Sequence, residues 1–252
     1  MIEIVRATSI RQIGEASALR YDVCVEVMPM RGIANSARRE ITPYDVLSRT
    51  HHLMAYDGLE AVGTLRVILP RSRAESESRS TYGLSMEDSV SFSLVPPGWK
   101  VCEIGRFAVR PAYRGTDVTR LIYRELYGIL KDNDIDYFGG CALMSTNDIA
   151  DADRCFDILQ KRGLCTNGIW VSPSGAPEPA ASGPASARAD EEIAEDAEFL
   201  SLPALVRYYL RASFRVCGRP FYDDRYDRCF LPMISEPDSL RFVRFAGRTI
   251  LD

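Results

Sequence analysis

A chain of 252 residues that is 46% hydrophobic and 26% charged carries enough apolar material for a sizeable core, which excludes disorder throughout. Thirty-one Lys and Arg against 35 Asp and Glu leave a net charge of -4, so the overall field gives no reason to expect nucleic-acid binding, and any basic face must be local. Apolar runs such as residues 61–70 fall far short of the roughly 18 residues of a spanning helix, and MIEIVRATSI is charged at its third position; neither signal peptide nor membrane anchor is expected.

In chain order, Ile13, Ala16, Leu19, Val23 and Val27 recur at helical spacing, predicting an amphipathic helix over residues 10–27 that includes Arg20. Residues 51–55 and 60–69 read as two strands joined around Tyr56-Asp57-Gly58. Residues 71–97, rich in Ser, Arg and Glu, read as loop with some short helix. A strand over residues 99–109, a turn at Pro111-Ala112-Tyr113-Arg114-Gly115, a helix over 117–130, a strand over 137–144 and a helix over 151–162 follow, an order that favours an α/β core. Residues 172–198 turn to Pro, Ala, Ser and Gly and then to an acidic run, the composition of a mobile insertion. A further helix over 203–214 and later strands return to the core, so residues 1–252 are expected to form a single domain.

Seven cysteines, Cys24, Cys102, Cys141, Cys155, Cys165, Cys217 and Cys229, show no CxxC and no regular spacing; they read as reduced thiols of a cytoplasmic protein. The two histidines, His51 and His52, are adjacent, which excludes a His-rich metal site and argues against a Ser-His-Asp triad. No metal is expected. Chemistry concentrates instead in Val101-Cys102-Glu103-Ile104-Gly105-Arg106-Phe107-Ala108-Val109. Strict alternation puts Glu103, Gly105, Phe107 and Val109 on one face and Arg106 on the other. A carboxylate inside an apolar strand costs several kcal/mol of desolvation unless it is paired, so Glu103 is either half of a structural ion pair with an arginine or a general base. The Arg-rich turn before the next helix offers backbone amides, Arg110 and Arg114 to a phosphate.

Val109-Arg110-Pro111-Ala112-Tyr113-Arg114-Gly115 ahead of a helix resembles the acyl-donor loop of the GNAT acyltransferase superfamily. Leu19-Arg20-Tyr21-Asp22-Val23, Tyr44-Asp45, Gly63-Thr64-Leu65-Arg66 and Glu103-Ile104-Gly105-Arg106-Phe107 resemble, in order and spacing, motifs of one branch. That branch holds the autoinducer (acyl-homoserine-lactone) synthases, N-acyl amino acid synthases and ornithine-lipid acyltransferases. Residues 202–220, ending Val216-Cys217-Gly218-Arg219-Pro220, resemble its ornithine and N-acyl amino acid side.

The resemblance implies a GNAT-like (acyl-CoA N-acyltransferase) fold of the α/β class, a mixed twisted sheet flanked by helices. It implies transfer of a fatty acyl group from a phosphopantetheine thioester on acyl carrier protein, or from acyl-CoA, to the amine of an amino acid, amine or peptide. No tightly bound cofactor is implied. Glu103 would take the proton of the acceptor, with Arg106 beside it; Arg20, Asp45 and Arg66 would line the acceptor side or hold Glu103. Phe107, Val109, Arg110, Arg114 and Gly115 would meet the phosphopantetheine, and Arg120 and Arg124, at i and i+4, would form an exposed patch for the acidic carrier protein. The sequence departs from the family at Asp117 and Thr119, where the donor loop has small residues. Asp117 as N-cap would occupy amides that otherwise bind a pyrophosphate, favouring the carrier-bound donor. Thr42 replaces an Asp of the lactone synthases, and Arg219 and Cys229 replace two carboxylates of the ornithine enzymes, which counts against ornithine as acceptor. The alternatives are an acyl-homoserine-lactone synthase and a GNAT-shaped binding protein without catalysis.

Overall fold

The computed structural model describes residues 1–28, 30, 33–72, 75–76, 81–166, 168–174, 193–245 and 247–252. After β1 (Ile2–Arg6), absent from the sequence expectation, comes α1 (Ile10–Tyr21). Its start is fixed by reciprocal bonds in which Ser9 Oγ accepts from the Gln12 N–H at 3.2 Å and the Gln12 side chain accepts from the Ser9 N–H at 3.3 Å. The helix expected to reach residue 27 is α-helical only to Tyr21 and continues as a π-helical turn over Asp22–Val27. β2 (Thr50–Asp57) and β3 (Glu60–Ile68) form the hairpin, turning through Gly58 at φ 59°. Residues 71–97 hold more than loop: a 3-10 turn at Ser85–Asp88 runs into β4 (Val90–Leu94). β5 (Val101–Val109), α2 (Asp117–Asp132), β6 (Tyr137–Leu143) and α3 (Ile149–Lys161) follow in the expected order.

β7 (Trp170–Pro173), which pairs with β4, includes Ser172 and Pro173 of the expected insertion. Its far end enters α4 (Ala197–Ser201), and residues 175–192 lie outside the described residues. The chain closes with α5 (Ala204–Arg211), β8 (Arg215–Val216), β9 (Phe221–Asp223), β10 (Arg228–Ser235), β11 (Arg244–Phe245) and β12 (Arg248–Thr249).

The main sheet runs β1-β2-β3-β5-β6-β10-β8, with β9 also on β10. Its neighbours pair antiparallel except β5 with β6, which are parallel. This is the mixed sheet flanked by helices that the resemblance implies. α2 lays Val118, Ile122, Leu126, Ile129 and Leu130 on one face of it, all fully buried, at about 1.5–3 kcal/mol each. Ala108 packs with Leu19 and Val23 while its neighbours Phe107 and Val109 join the α2 cluster, so α1 covers the opposite face. Among the described residues no helix is long and apolar enough to cross a membrane.

Candidate functional site

The site forms where the parallel pairing of β5 with β6 ends. β5 and β6 pair only as Val101↔Tyr137, Cys102↔Phe138 and Glu103↔Gly139. At the next step Gly140 comes so close to the Ile104 carbonyl that any side chain there would collide with it. On its other edge β5 keeps β3, but Gly105 faces Arg66 and Ala108 faces Thr64, leaving Arg106 and Phe107 opposite one residue. This β-bulge carries Arg106 at φ 55°, a left-handed conformation that costs a non-glycine residue roughly 1–2 kcal/mol.

The bulge reverses the phase of the strand. Cys102 and Ile104 lie in the α2 cluster before it, Phe107 and Val109 after it. Strict alternation, which separates Glu103 from Arg106, is therefore corrected: both line one cavity of about 240 Å³ between the parted strands. Met28, Leu205, Tyr209, Phe214 and Met233 give it an apolar wall, while Tyr44, Asp88, Asp223 and Arg225 make a polar rim.

Glu103, 6% exposed, is held from a segment in which the sequence pattern marks nothing. Ser85 Oγ donates to its Oε1, and the Met86 N–H donates to its Oε2 at 2.8 Å. Arg66 Nη2 donates to Ser85 Oγ at 2.8 Å and lies 3.7 Å from Glu103 Oε1. From there charges alternate through the buried layer. Arg66 Nη1 is 3.5 Å from Asp45 Oδ1, which takes Arg20 Nη1 at 2.8 Å. Arg20 Nε reaches Glu40 Oε2 at 2.9 Å, and Glu40 Oε1 takes Arg106 Nε at 2.8 Å. Arg106 Nη2 donates to the Tyr226 hydroxyl, and its guanidinium stands 5.4 Å over the Tyr226 ring.

Three cations and three anions close the chain, as burial at this depth demands. Burial alone would raise the Asp45 carboxyl; Arg20, Arg66 and the Thr42 N–H outweigh it and hold it below the usual carboxylate range. Burial likewise lowers His52, whose Nε2 donates to the Asp45 carbonyl at 2.9 Å. In the cavity wall, burial lifts the Cys141 thiol far above its ordinary value, so it stays protonated and unreactive.

Arg20, Asp45, Arg66, Glu103 and Arg106 are thus brought together. Glu40, Ser85, Met86 and Tyr226 complete the array, and none carries a sequence signal beyond being polar or lying in a loop. Thr42, the departure from the lactone synthases, works here too: its hydroxyl accepts from Arg66 Nη1 at 2.9 Å and its N–H donates to Asp45 Oδ2 at 2.6 Å.

The donor-side residues divide. Phe107 lines the cavity, edge-on to Tyr123 with centroids 5.9 Å apart. The Val109 side chain is buried under α2, leaving only its backbone toward the donor loop. Arg110 is committed elsewhere, to the Ala61 carbonyl at 3.0 Å, Glu60 at 3.3 Å and Asp22 at 3.6 Å. Arg114 and Gly115 sit exposed on the turn, Gly115 at φ 75°.

Two expectations are corrected. Thr116, not Asp117, caps α2, its hydroxyl accepting from the Val118 N–H at 3.4 Å. The Asp117 carboxylate is drawn instead to Arg120 at 3.0 Å and Arg248 at 3.3 Å, so it does not occupy the helix amides. That ion pair also buries Arg120, at 5% exposure, and Arg120 is no part of an exposed patch; Arg124 is exposed. Arg219 points to Asp153 at 3.4 Å and Cys229 is fully buried, and neither lines the cavity.

Residues 19–124 match the acetyltransferase (GNAT) domain family. Over 150 residues the chain is 27% identical to an L-ornithine N(alpha)-acyltransferase of Brucella abortus (strain 2308), covering 56% of this chain and 52% of that protein. The chain thus spans about half the length of this curated relative. Among solved structures, FeeM, an N-acyl amino acid synthase from uncultured soil microbes, superposes with a TM-score of 0.50 at 8% identity, over 98% of this chain and 97% of that one. BjaI, a CoA-dependent acyl-homoserine lactone synthase with SAM and isopentyl-CoA, gives a TM-score of 0.49 at 13% identity, over 97% of this chain and 83% of that one. At 8% identity the likeness to FeeM is one of fold.

Proposed function

We propose, from the match of residues 19–124 to the acetyltransferase (GNAT) domain family and the fold shared with FeeM, that the chain is an N-acyltransferase making fatty N-acyl amides. The observation that carries the reading is Glu103, a carboxylate fixed by Ser85 and the Met86 N–H in the opening between β5 and β6. An acceptor arrives as an ammonium and must lose a proton before it can attack, and Glu103 takes that proton directly or through a water. The freed amine forms the C–N bond as the thioester C–S bond breaks, and the second proton that the nitrogen then gives up reprotonates the thiolate leaving on phosphopantetheine. Negative charge on the carbonyl oxygen meets backbone N–H groups of β5 beyond Glu103, where no β6 partner remains.

The contrast between the two walls of the cavity supports a division of the two substrates between them. The acyl chain takes the apolar side, and the acceptor takes the polar rim. There Arg225, bidentate on Asp223 and 3.5 Å from Asp88, would have to exchange one of these carboxylates for that of an acceptor. Asp88 and Asp223 offer partners for a second ammonium. L-Ornithine, named for the relative from Brucella abortus, is therefore the first acceptor to try. The substitutions at Arg219 and Cys229 carry no weight against it, because neither lines the cavity.

We take the donor to be an acyl carrier protein on the exposed charge of Arg114 and Arg124, no longer on Asp117, with its phosphopantetheine passing the 110–116 turn. Arg114 and Arg124 form the docking surface, with Arg120 removed from it. Lauroyl carrier protein and lauroyl-CoA, each incubated with the protein and L-ornithine, test the reading by thiol release and mass spectrometry of the product. The expected result is N-lauroyl amide from the carrier-bound thioester, with Arg124→Glu raising the KM for carrier protein. Preference for lauroyl-CoA reassigns the donor; no amide from either donor with any primary amine offered overturns the activity.

A further inference from the structure

The loop that carries Ser85 and Met86 also borders, through Thr81 and Tyr82, a second, open cleft of about 860 Å³. Two guanidiniums converge on its inner wall. Gly83 sits at φ 75°, and a Cβ built there would lie 2.8 Å from Arg49 Nη2 and 2.7 Å from Arg71 Nε; the bare glycine is what lets both approach. Arg49 donates from Nη1 to the Leu69 carbonyl at 2.6 Å and from Nη2 to the Gly83 carbonyl. Arg71 donates from Nη1 to Thr81 Oγ1 at 2.7 Å, which leaves Nε and Nη2 without an acceptor among the described residues.

Among the described residues neither arginine forms an ion pair. Glu75 and Glu87, whose fields reach Arg49, accept instead from Ser72 and from the Tyr82 and Leu84 N–H groups. Burial, and then the charge of Arg71, lower the pKa of Arg49 against the opposing fields of Tyr44, Glu87 and Glu75: like charges are held together, and among the described residues no anion pairs with either. Leu69, Phe92, Val95 and Trp99 give the cleft an apolar and aromatic stretch, beside the polar Ser72, Ser76, Ser93 and Asn133. Trp99 is set in place by stacking on Tyr137 with centroids 4.7 Å apart. Lys100, also on the cleft, is already engaged by the Asn133 carbonyl at 3.1 Å and Asp134 at 3.8 Å.

We infer that this cleft binds an amphipathic carboxylate, its head on Arg71 and Arg49 and its alkyl chain along Phe92 and Trp99. The open Nε and Nη2 of Arg71 form the planar fork that matches a two-oxygen head. A singly charged head fits better than a polyphosphate, since Lys100 is spent on Asp134. The apolar wall calls for a hydrocarbon body, and a free fatty acid or an N-acyl amino acid supplies both parts. Binding here needs no acyl transfer, so this assignment stands or falls independently of the proposed activity.

Titration of the full chain with laurate, N-lauroylglycine and uncharged dodecanol tests it. The two tryptophans are Trp99 and Trp170, so a Trp170→Phe background makes fluorescence report on the cleft alone. At least one carboxylate is expected to saturate the Trp99 signal, with dodecanol at least tenfold weaker. Arg71→Leu should weaken the carboxylates about tenfold or more and leave dodecanol unchanged, in line with loss of a charge-assisted hydrogen bond. Binding of laurate alone identifies a fatty acid as occupant, and of N-lauroylglycine alone an N-acyl amino acid; either supports the assignment. The laurate-to-dodecanol comparison uses no arginine variant and so does not depend on how Arg71→Leu folds. Equal affinity for laurate and dodecanol, no binding of either carboxylate, or wild-type affinity in a folded Arg71→Leu variant overturns it.

Discussion

Ser85→Ala removes one oxygen and no backbone contact, yet that oxygen both donates to Glu103 Oε1 and accepts from Arg66 Nη2. A hydrogen bond to a charged group contributes about 1.5–3 kcal/mol, and about 1.36 kcal/mol is a factor of ten in rate. Complete loss of the bond from the transition state would then slow turnover by about 10- to 150-fold. Two features hold the effect to the lower end. The Met86 N–H still donates to Oε2 at 2.8 Å, and Arg66, now 3.7 Å from Oε1, is free to close on the carboxylate. The expected result is a kcat lowered about 10- to 30-fold with KM for the acyl donor little changed, read as thiol released from a lauroyl thioester in the presence of acceptor. Because Ser85 acts through Glu103, the same substitution on a Glu103→Gln background should cost less than about twofold, a non-additivity that a merely structural serine would not produce. Wild-type turnover in Ser85→Ala, or an equal loss on both backgrounds, would refute the idea that Ser85 positions Glu103.

Asp45→Asn should lower stability by about 3–5 kcal/mol in urea unfolding, since it leaves Arg20 and Arg66 buried without their shared anion. The folded pKa of Asp45 is depressed, so its contribution is complete above the ordinary carboxylate value of about 3.9 and is lost as pH falls below it; acid unfolding of the variant should be correspondingly less steep. His52 is also depressed, by burial, so its contribution is present above its ordinary value of about 6.5 and declines as pH falls through it. Thermal melts at pH 7.5 and pH 5 should show that loss in the wild type and less of it in His52→Gln, and an unchanged slope in the variant would contradict the assignment.

Regular elements were legible in the sequence because period announces them. The α2 face of Val118, Ile122 and Leu126 and the apolar run of β6 each stand out from their own residues. β1, β4 and β7 did not, because each is short and finds its partner far away in sequence. Glu103 and Arg106 were conspicuous as charges within an apolar strand, yet alternation misplaced Arg106. A bulge is set by the register of two strands, and no local pattern reports it. Ser85 and Glu40 were invisible for a related reason: each reaches the site from a segment without periodicity and bonds a side chain in another element. The i, i+4 spacing of Arg120 and Arg124 predicts one exposed docking face for the carrier protein, but a guanidinium bonded to Asp117, which Arg248 also pairs, folds under rather than out.

The central claim is that Glu103 is the base of an amide-forming acyl transfer. Mass spectrometry of lipid extracts from cells expressing the wild-type chain, the Glu103→Gln variant or neither tests it most directly. Gln keeps the shape of the side chain and removes its basicity, for an expected loss of about two to four orders of magnitude in turnover. The predicted result is a new N-acyl species in the wild-type extract that also names the acceptor and the chain length, and that falls to background with Glu103→Gln. An equal yield from a folded Glu103→Gln variant, or no N-acyl species from the wild type, would contradict it.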